Sequence, residues 1–68
     1  MLKQLNLERI KERRVEKGIS TTQMANILGF KDPSTYWNYE NGKYRFKADM
    51  LPILANTLNC EIEYFFNH

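Results

Sequence analysis

Residues 20–42 read Ser20-Thr21-Thr22-Gln23-Met24-Ala25-Asn26-Ile27-Leu28-Gly29-Phe30-Lys31-Asp32-Pro33-Ser34-Thr35-Tyr36-Trp37-Asn38-Tyr39-Glu40-Asn41-Gly42. The stretch spells two short helices joined by a turn. Ser20 followed three residues later by Gln23 is a capping box, and Ile19 and Met24 occupy the N′ and N4 positions of a hydrophobic staple. Met24, Ala25 and Leu28 make an inward stripe, with the small Ala25 where another helix must come close. Gly29 ends this helix. Asp32 as N-cap with Pro33 behind it at N1 opens the next one, which closes at Asn41-Gly42. About nine residues is short for a helix, so this one needs tertiary packing to persist.

Working outward, Asn6 is a plausible N-cap for a helix over about residues 7–17, with Glu8 in its first turn suiting the dipole and Gly18 ending it. Leu7, Ile10 and Arg14 share one face, and Val15 is expected to widen it. After Gly42 comes a basic, aromatic connector, Lys43-Tyr44-Arg45-Phe46-Lys47-Ala48. A fourth helix is expected over about residues 50–58, capped by Asp49, with Pro52 at N3 where its missing N–H breaks no bond; an earlier start would make Pro52 a kink. Leu51, Leu54, Ala55 and Leu58 form its apolar face, and Asn59 ends it. A last short helix, about 62–66, tucks Ile62, Phe65 and Phe66 onto the core. The run from Lys11 to Lys17 alternates acids with bases and reads mostly as a solvated helix face.

The totals bound what this chain can be. Its 68 residues make one domain, residues 1–68, and a chain of this size buries only about 60% of its unfolded surface. A hydrophobic fraction of 43% argues against disorder. The net charge of +2 is mildly basic, so the clustering of charge matters more than its total. With one cysteine, Cys60, and one histidine, His68, no disulfide framework or zinc motif can be built within one chain. There is no glycine-rich phosphate loop and no Ser/His/Asp or Cys/His set, so no enzyme, metal, cofactor or small-molecule ligand is expected. The N-terminus lacks a long apolar run, which leaves a cytoplasmic protein without a membrane segment as the expectation.

The ordered set Gly18-Ile19-Ser20, Gln23-Met24-Ala25, Leu28-Gly29, Tyr36, Tyr39-Glu40-Asn41-Gly42, Leu51, Leu54-Ala55 and Leu58-Asn59 resembles the lambda-repressor/Cro-type (xenobiotic-response-element-like) helix-turn-helix family over about residues 7–66. The resemblance implies an all-α, compact five-helix DNA-binding domain whose helices two and three are the helix-turn-helix, usually bound to operator DNA as a homodimer. The turn is one residue longer than the family norm, through Lys31-Asp32-Pro33. Tyr36 and Tyr39 stand where aliphatic residues or Trp are more usual. A slightly different angle of helix three is expected from this.

Arg14 lies on an apolar face, where an unpaired charge is costly. By resemblance it pairs with Glu40 as a partly buried ion pair clamping helix one to helix three. With Tyr36, Tyr39 and Glu40 inward, Pro33, Ser34, Trp37, Asn38 and Asn41 lie outward or partly so, with Thr35 on the flank. The resemblance places Ser34, Thr35 and Asn38 at base edges. The chemistry suits this: Asn pairs with adenine N6 and N7, hydroxyls donate or accept, and Trp37 suits a thymine methyl or a sugar. The bland alternative is a polar surface helix with Trp37 in a protein interface. Candidates for phosphate are Thr21 and Gln23 at the start of helix two, where free N–H groups favour an anion. Asn41, Lys43, Tyr44 and Arg45 follow helix three and by resemblance run along the DNA backbone. Gln23 already has work in the capping box, and Lys43 and Arg45 also read as solvated loop charge. Ile27, Phe46, Tyr64, Phe66 and Leu2 are candidates for a dimer surface, or else Phe46, Tyr64 and Phe66 complete the monomer core. Cys60 reads as a small inert core residue.

Together these readings point to a sequence-specific double-stranded DNA-binding regulator, a small phage or mobile-element Cro-like repressor whose two recognition helices sit about 34 Å apart on a near-palindromic operator. No effector, protease or oligomerisation domain is expected after helix five, so occupancy is expected to track concentration and affinity. The close at Asn67-His68 fits a stand-alone chain or the N-terminal part of a longer repressor. The rival is a protein-interaction module, such as an antitoxin or antirepressor, that keeps the same fold.

Overall fold

The computed structural model describes residues 4–66. Four α-helices carry the architecture: α1 (Leu7–Glu16), α2 (Thr21–Leu28), α3 (Pro33–Glu40) and α4 (Leu51–Leu58). Two 3₁₀ segments, Ala48–Met50 and Ile62–Phe66, complete it, and the described residues contain no strand. The expected fifth helix is therefore present as a five-residue 3₁₀ turn rather than an α-helix.

Local chemistry sets the helix starts. The Asn6 side chain accepts from Arg9 N–H at 3.3 Å. The capping box at Ser20 is closed in both directions, Gln23 N–H to Ser20 Oγ at 3.0 Å and Ser20 N–H to Gln23 Oε1 at 2.8 Å. Asp32 Oδ1 accepts from Ser34 N–H at 3.0 Å, with Pro33 behind it. The ends share one device. An N–H reaches back five residues in each case: Ile19 to Arg14, Phe30 to Ala25, Lys43 to Asn38 and Cys60 to Ala55, at 2.8–3.1 Å. This closure needs a left-handed residue just before it. At the end of α2 that residue is Gly29, at φ 83°, where a side chain would be strained; at the end of α4 it is Asn59, among the described residues the one non-glycine at positive φ, at 54°.

The start of α4 departs from the sequence reading. Asp49 does not cap it: the helical path begins earlier, in the 3₁₀ turn Ala48–Met50, and Met50 at the junction is already αR with no side-chain cap. Pro52 sits in the first turn of α4, one position earlier than N3. Its ring nitrogen has no hydrogen to give Ala48, so the tighter bond from Leu51 N–H to the Ala48 carbonyl closes the turn instead. The kink anticipated for an early start takes the form of this change from 3₁₀ to α geometry.

The core consists of Ile10, Met24, Ala25, Tyr36, Leu54, Ala55, Leu58 and Phe65. Ile19, Leu28, Ile62 and Phe66 pack against it half-buried, and so do Phe46, Tyr64 and Cys60. The aromatic side chains at 46, 64 and 66 thus help complete the core of a single chain. Burial also pushes the Cys60 thiol above its ordinary pKa. Leu2 lies outside the described residues. Val15 does not widen the α1 stripe; it is 60% exposed. At 100° per residue it falls roughly 120° from the stripe's centre.

Arg13 lies on the other flank of that stripe and is not merely solvated. Its Nε donates to the Leu58 carbonyl at 2.9 Å and its Nη2 to the Asn59 carbonyl at 2.8 Å. A cation thereby meets the negative end of α4 and two of its orphan carbonyls. Arg9, on the same helix, lies over the Tyr64 ring at 4.6 Å. Arg13, read from sequence as part of a solvated face, and Arg9 are both used to hold the C-terminal half against α1.

Candidate nucleic-acid interface

Helix α3 has two unlike faces. Its inner face holds Tyr36, which is fully buried, and Glu40, which is 5% exposed. Arg14 donates to Glu40 twice, Nε to Oε2 at 2.8 Å and Nη2 to Oε1 at 3.0 Å, the parallel arrangement open to a guanidinium. Its remaining Nη1 donates to the Ile19 carbonyl at 2.8 Å. Tyr36 Oη donates to Glu40 Oε2 at 2.7 Å. One carboxylate thus gathers donors from α1 and α3, while the same arginine holds the loop leading into α2. The hydrogen bonds that Arg14 donates to Glu40 raise the Arg14 pKa above its usual value.

Burial first, then donation to Glu40, pushes the Tyr36 phenol above its ordinary range. In the unfolded chain a tyrosine ionises near about pH 10. The stability drawn from this group is therefore complete below about pH 10 and is lost as pH rises beyond it, by about 1.4 kcal/mol per pH unit for one proton. Urea unfolding at several values between about pH 9 and 11 should show the wild-type free energy falling more steeply than that of Tyr36→Phe. Parallel slopes would remove Tyr36 as the source.

A second structure backs α3 from the side. Phe30, in the turn before α3, stacks on Tyr39 with centroids 5.3 Å apart and planes within 2°. Tyr39 meets Tyr44 edge-on at 5.4 Å and Phe46 at 5.3 Å, and Phe46 in turn meets Tyr36 at 6.3 Å. The turn before α3 and the connector after it are pinned through one ring. Sequence reasoning placed Tyr39 inward but passed over Phe30. A signal was there: the residue two beyond a helix end of this kind commonly makes an apolar contact.

The outer face is free. Ser34 and Trp37 are exposed, Thr35 and Asn38 half-buried. The side chains of Thr35, Trp37 and Asn38 have no hydrogen-bond or ring partner among the described residues, whereas the Ser34 side chain, like its backbone N–H, serves the Asp32 carboxylate. Trp37 is 54% exposed. Asn41 is different: its amide nitrogen donates to the Trp37 carbonyl at 2.8 Å and is partly committed to capping α3. Of the phosphate candidates, Thr21 is half-buried in the first turn of α2, and Gln23 is exposed with its amide oxygen engaged and its NH₂ group without a partner among the described residues. Lys43, Tyr44 and Arg45 are exposed in the connector, with Lys43 Nζ 5.9 Å above the Tyr44 ring. The structure brings the four outer-face residues onto one short helix and sets the connector residues directly after it.

Charge gathers around this helix. Lys31 precedes it and Lys43, Arg45 and Lys47 follow, all exposed. Their acidic counterparts over the same span are Asp32, engaged at the N-cap, and Glu40, neutralised by Arg14.

A pair of short capped helices around a glycine-bearing turn, the second with a polar outer face, is a helix-turn-helix. The family model described as a helix-turn-helix domain matches residues 7–68. The chain belongs to that family. No curated protein and no solved structure matches it. Helix-turn-helix domains are DNA-binding units of regulators, and membership assigns this chain at that coarse level. Among the described residues of this helix-turn-helix domain no helix is long and apolar enough to cross a membrane.

Proposed function

We propose that this helix-turn-helix domain is a sequence-specific, double-stranded DNA-binding transcriptional regulator, a small Cro-like repressor of the kind carried by phages and mobile elements. It binds a near-palindromic operator as a homodimer and blocks polymerase or another regulator. The observation that carries the reading is the two-faced α3: one side fixed by Glu40, Arg14, Tyr36 and the Tyr39 cluster, the other offering Thr35, Trp37 and Asn38 with no side-chain partner among the described residues, next to an exposed Ser34 at the N-cap. A side chain that reads base edges has to be free and its backbone has to be rigid. In this reading Thr21, Gln23, Asn41, Lys43, Tyr44 and Arg45 position the helix on phosphate, which supplies affinity without sequence information.

The test is selection of random duplex DNA by the purified chain. An inverted repeat is expected, with half-sites one helical turn apart. On it, Asn38→Ala should weaken binding by about 1–3 kcal/mol for each base pair that the amide reads, and relax one position in each half-site. The doubly substituted Lys43→Ala, Arg45→Ala should instead weaken all duplexes alike and flatten the fall of affinity with salt. One observation favours a second reading: Trp37 exposes more than half of a large apolar ring, which also suits a protein partner, as in an antitoxin or antirepressor. That reading predicts no enriched duplex and a weak, salt-insensitive association with DNA.

A further inference from the structure

The outer face of α3 lacks a cation. The helix reads Pro33-Ser34-Thr35-Tyr36-Trp37-Asn38-Tyr39-Glu40, and its one charged residue is turned inward and paired. In the major groove guanine shows two acceptors, O6 and N7, and the residues that match them are Arg and Lys, which carry only donors. Here the nearby cations, Lys31, Lys43, Arg45 and Lys47, all lie beyond the helix ends. What α3 does offer is Asn38, whose amide pairs one donor with one acceptor. That pattern fits adenine N7 and N6–H₂, and it would set its carbonyl against an acceptor on guanine. Beside it stands Trp37, an apolar ring with no ring partner among the described residues. The one apolar group on a base edge in this groove is the thymine C5-methyl.

We propose that α3 reads A·T pairs, with Asn38 on adenine and Trp37 against a thymine methyl, so that the bases beneath it form an A·T-rich half-site whose affinity depends on that methyl group. This rests on the operator-binding reading and names its substrate. The chemistry divides the labour: A·T edges by uncharged groups on the helix, phosphates by cations in the flanking loops.

The experiment is to replace each thymine of the selected duplex in turn by uracil, which removes only the methyl, and to measure binding of the full chain at low salt, where phosphate contacts keep weak variants on DNA. At one position in each half-site the wild type should lose about three- to fivefold, the size of one buried methyl. Trp37→Ala, whose side chain touches no ring of the core, should bind the thymine and uracil duplexes equally, and Trp37→Leu should keep part of the difference. A selected half-site with G·C pairs beneath α3, or a uracil effect unchanged in Trp37→Ala, overturns the proposal while leaving operator binding intact. A selection that enriches nothing overturns both.

Discussion

Glu40→Ala is expected to cost about 3–5 kcal/mol in unfolding free energy, as for other buried pairs that lose one member. A domain of this length holds only about 3–10 kcal/mol in all, so the variant should lie close to its unfolding transition at 25 °C. The reason lies in what is left behind. Glu40 is 5% exposed and accepts from three donors. Without it the Arg14 side chain, only 12% exposed, loses the carboxylate partner of two donors and keeps its hydrogen bond to the Ile19 carbonyl. The Tyr36 hydroxyl, inside a fully buried residue, loses the carboxylate it donates to. The cost is thus mostly that of orphaned donors, and the pair itself need contribute little. Two comparisons separate these ideas. Glu16→Ala breaks the exposed Arg13–Glu16 contact (side chains 26% and 66% exposed) and should cost under about 1 kcal/mol. The triple substitution Arg14→Met, Glu40→Leu, Tyr36→Phe removes every orphan at once and should recover at least half of the loss. Urea denaturation of the four proteins decides it; a Glu40→Ala cost below about 1 kcal/mol, or a triple variant no better than the single, would contradict the clamp.

How far the sequence anticipates this structure depends on the range of the interaction. Capping is local chemistry, and the boundaries at Asn6, Ser20, Gly29, Asp32 and Asn59 are written in the residues that make them. The inward set Ile10, Met24, Ala25, Tyr36, Leu54 and Leu58 follows from helical period alone. Arg14 was readable because a charge on an apolar stripe demands a partner. Arg13 was not, because its acceptors are carbonyls 45 and 46 residues away and carbonyls carry no residue identity. Val15 lies more than about 100° from the centre of the α1 stripe, and its apolar type, not its angle, suggested burial. Asp49 looked like a cap because N-cap residues are recognised by type, while the path was decided by the ring of Pro52 three residues on. At the site, the residues on the outer face of α3 were legible as free polar groups. The support behind them was not, since the Phe30–Tyr39–Phe46 contacts join a turn, a helix and a connector that sequence spacing does not relate.

That support reaches its limit in the C-terminal turn, where Phe65→Ala should cost about 3–5 kcal/mol. Five residues of 3₁₀ helix have little stability of their own. Ile62–Phe66 is held by what it inserts and what it accepts. The Phe65 ring is fully buried and edge-on to Tyr64 at 6.2 Å, Tyr64 lies under Arg9, and the Phe65 carbonyl accepts from Asn6 N–H at 2.6 Å. The turn therefore closes the core and ties the start of α1 at the same time. Truncating the ring removes buried surface and leaves a cavity beneath α1, which carries Ile10 into the core and Arg14 to Glu40. Loss at residue 65 should reach the clamp behind α3 through that one helix. Phe66→Ala, at a half-buried neighbour, should cost distinctly less. Hydrogen exchange locates the damage: in Phe65→Ala the Asn6 amide should lose protection first, ahead of amides inside α2 and α3. Retained protection at Asn6 together with a loss below about 1 kcal/mol would show that the turn decorates the core instead of closing it.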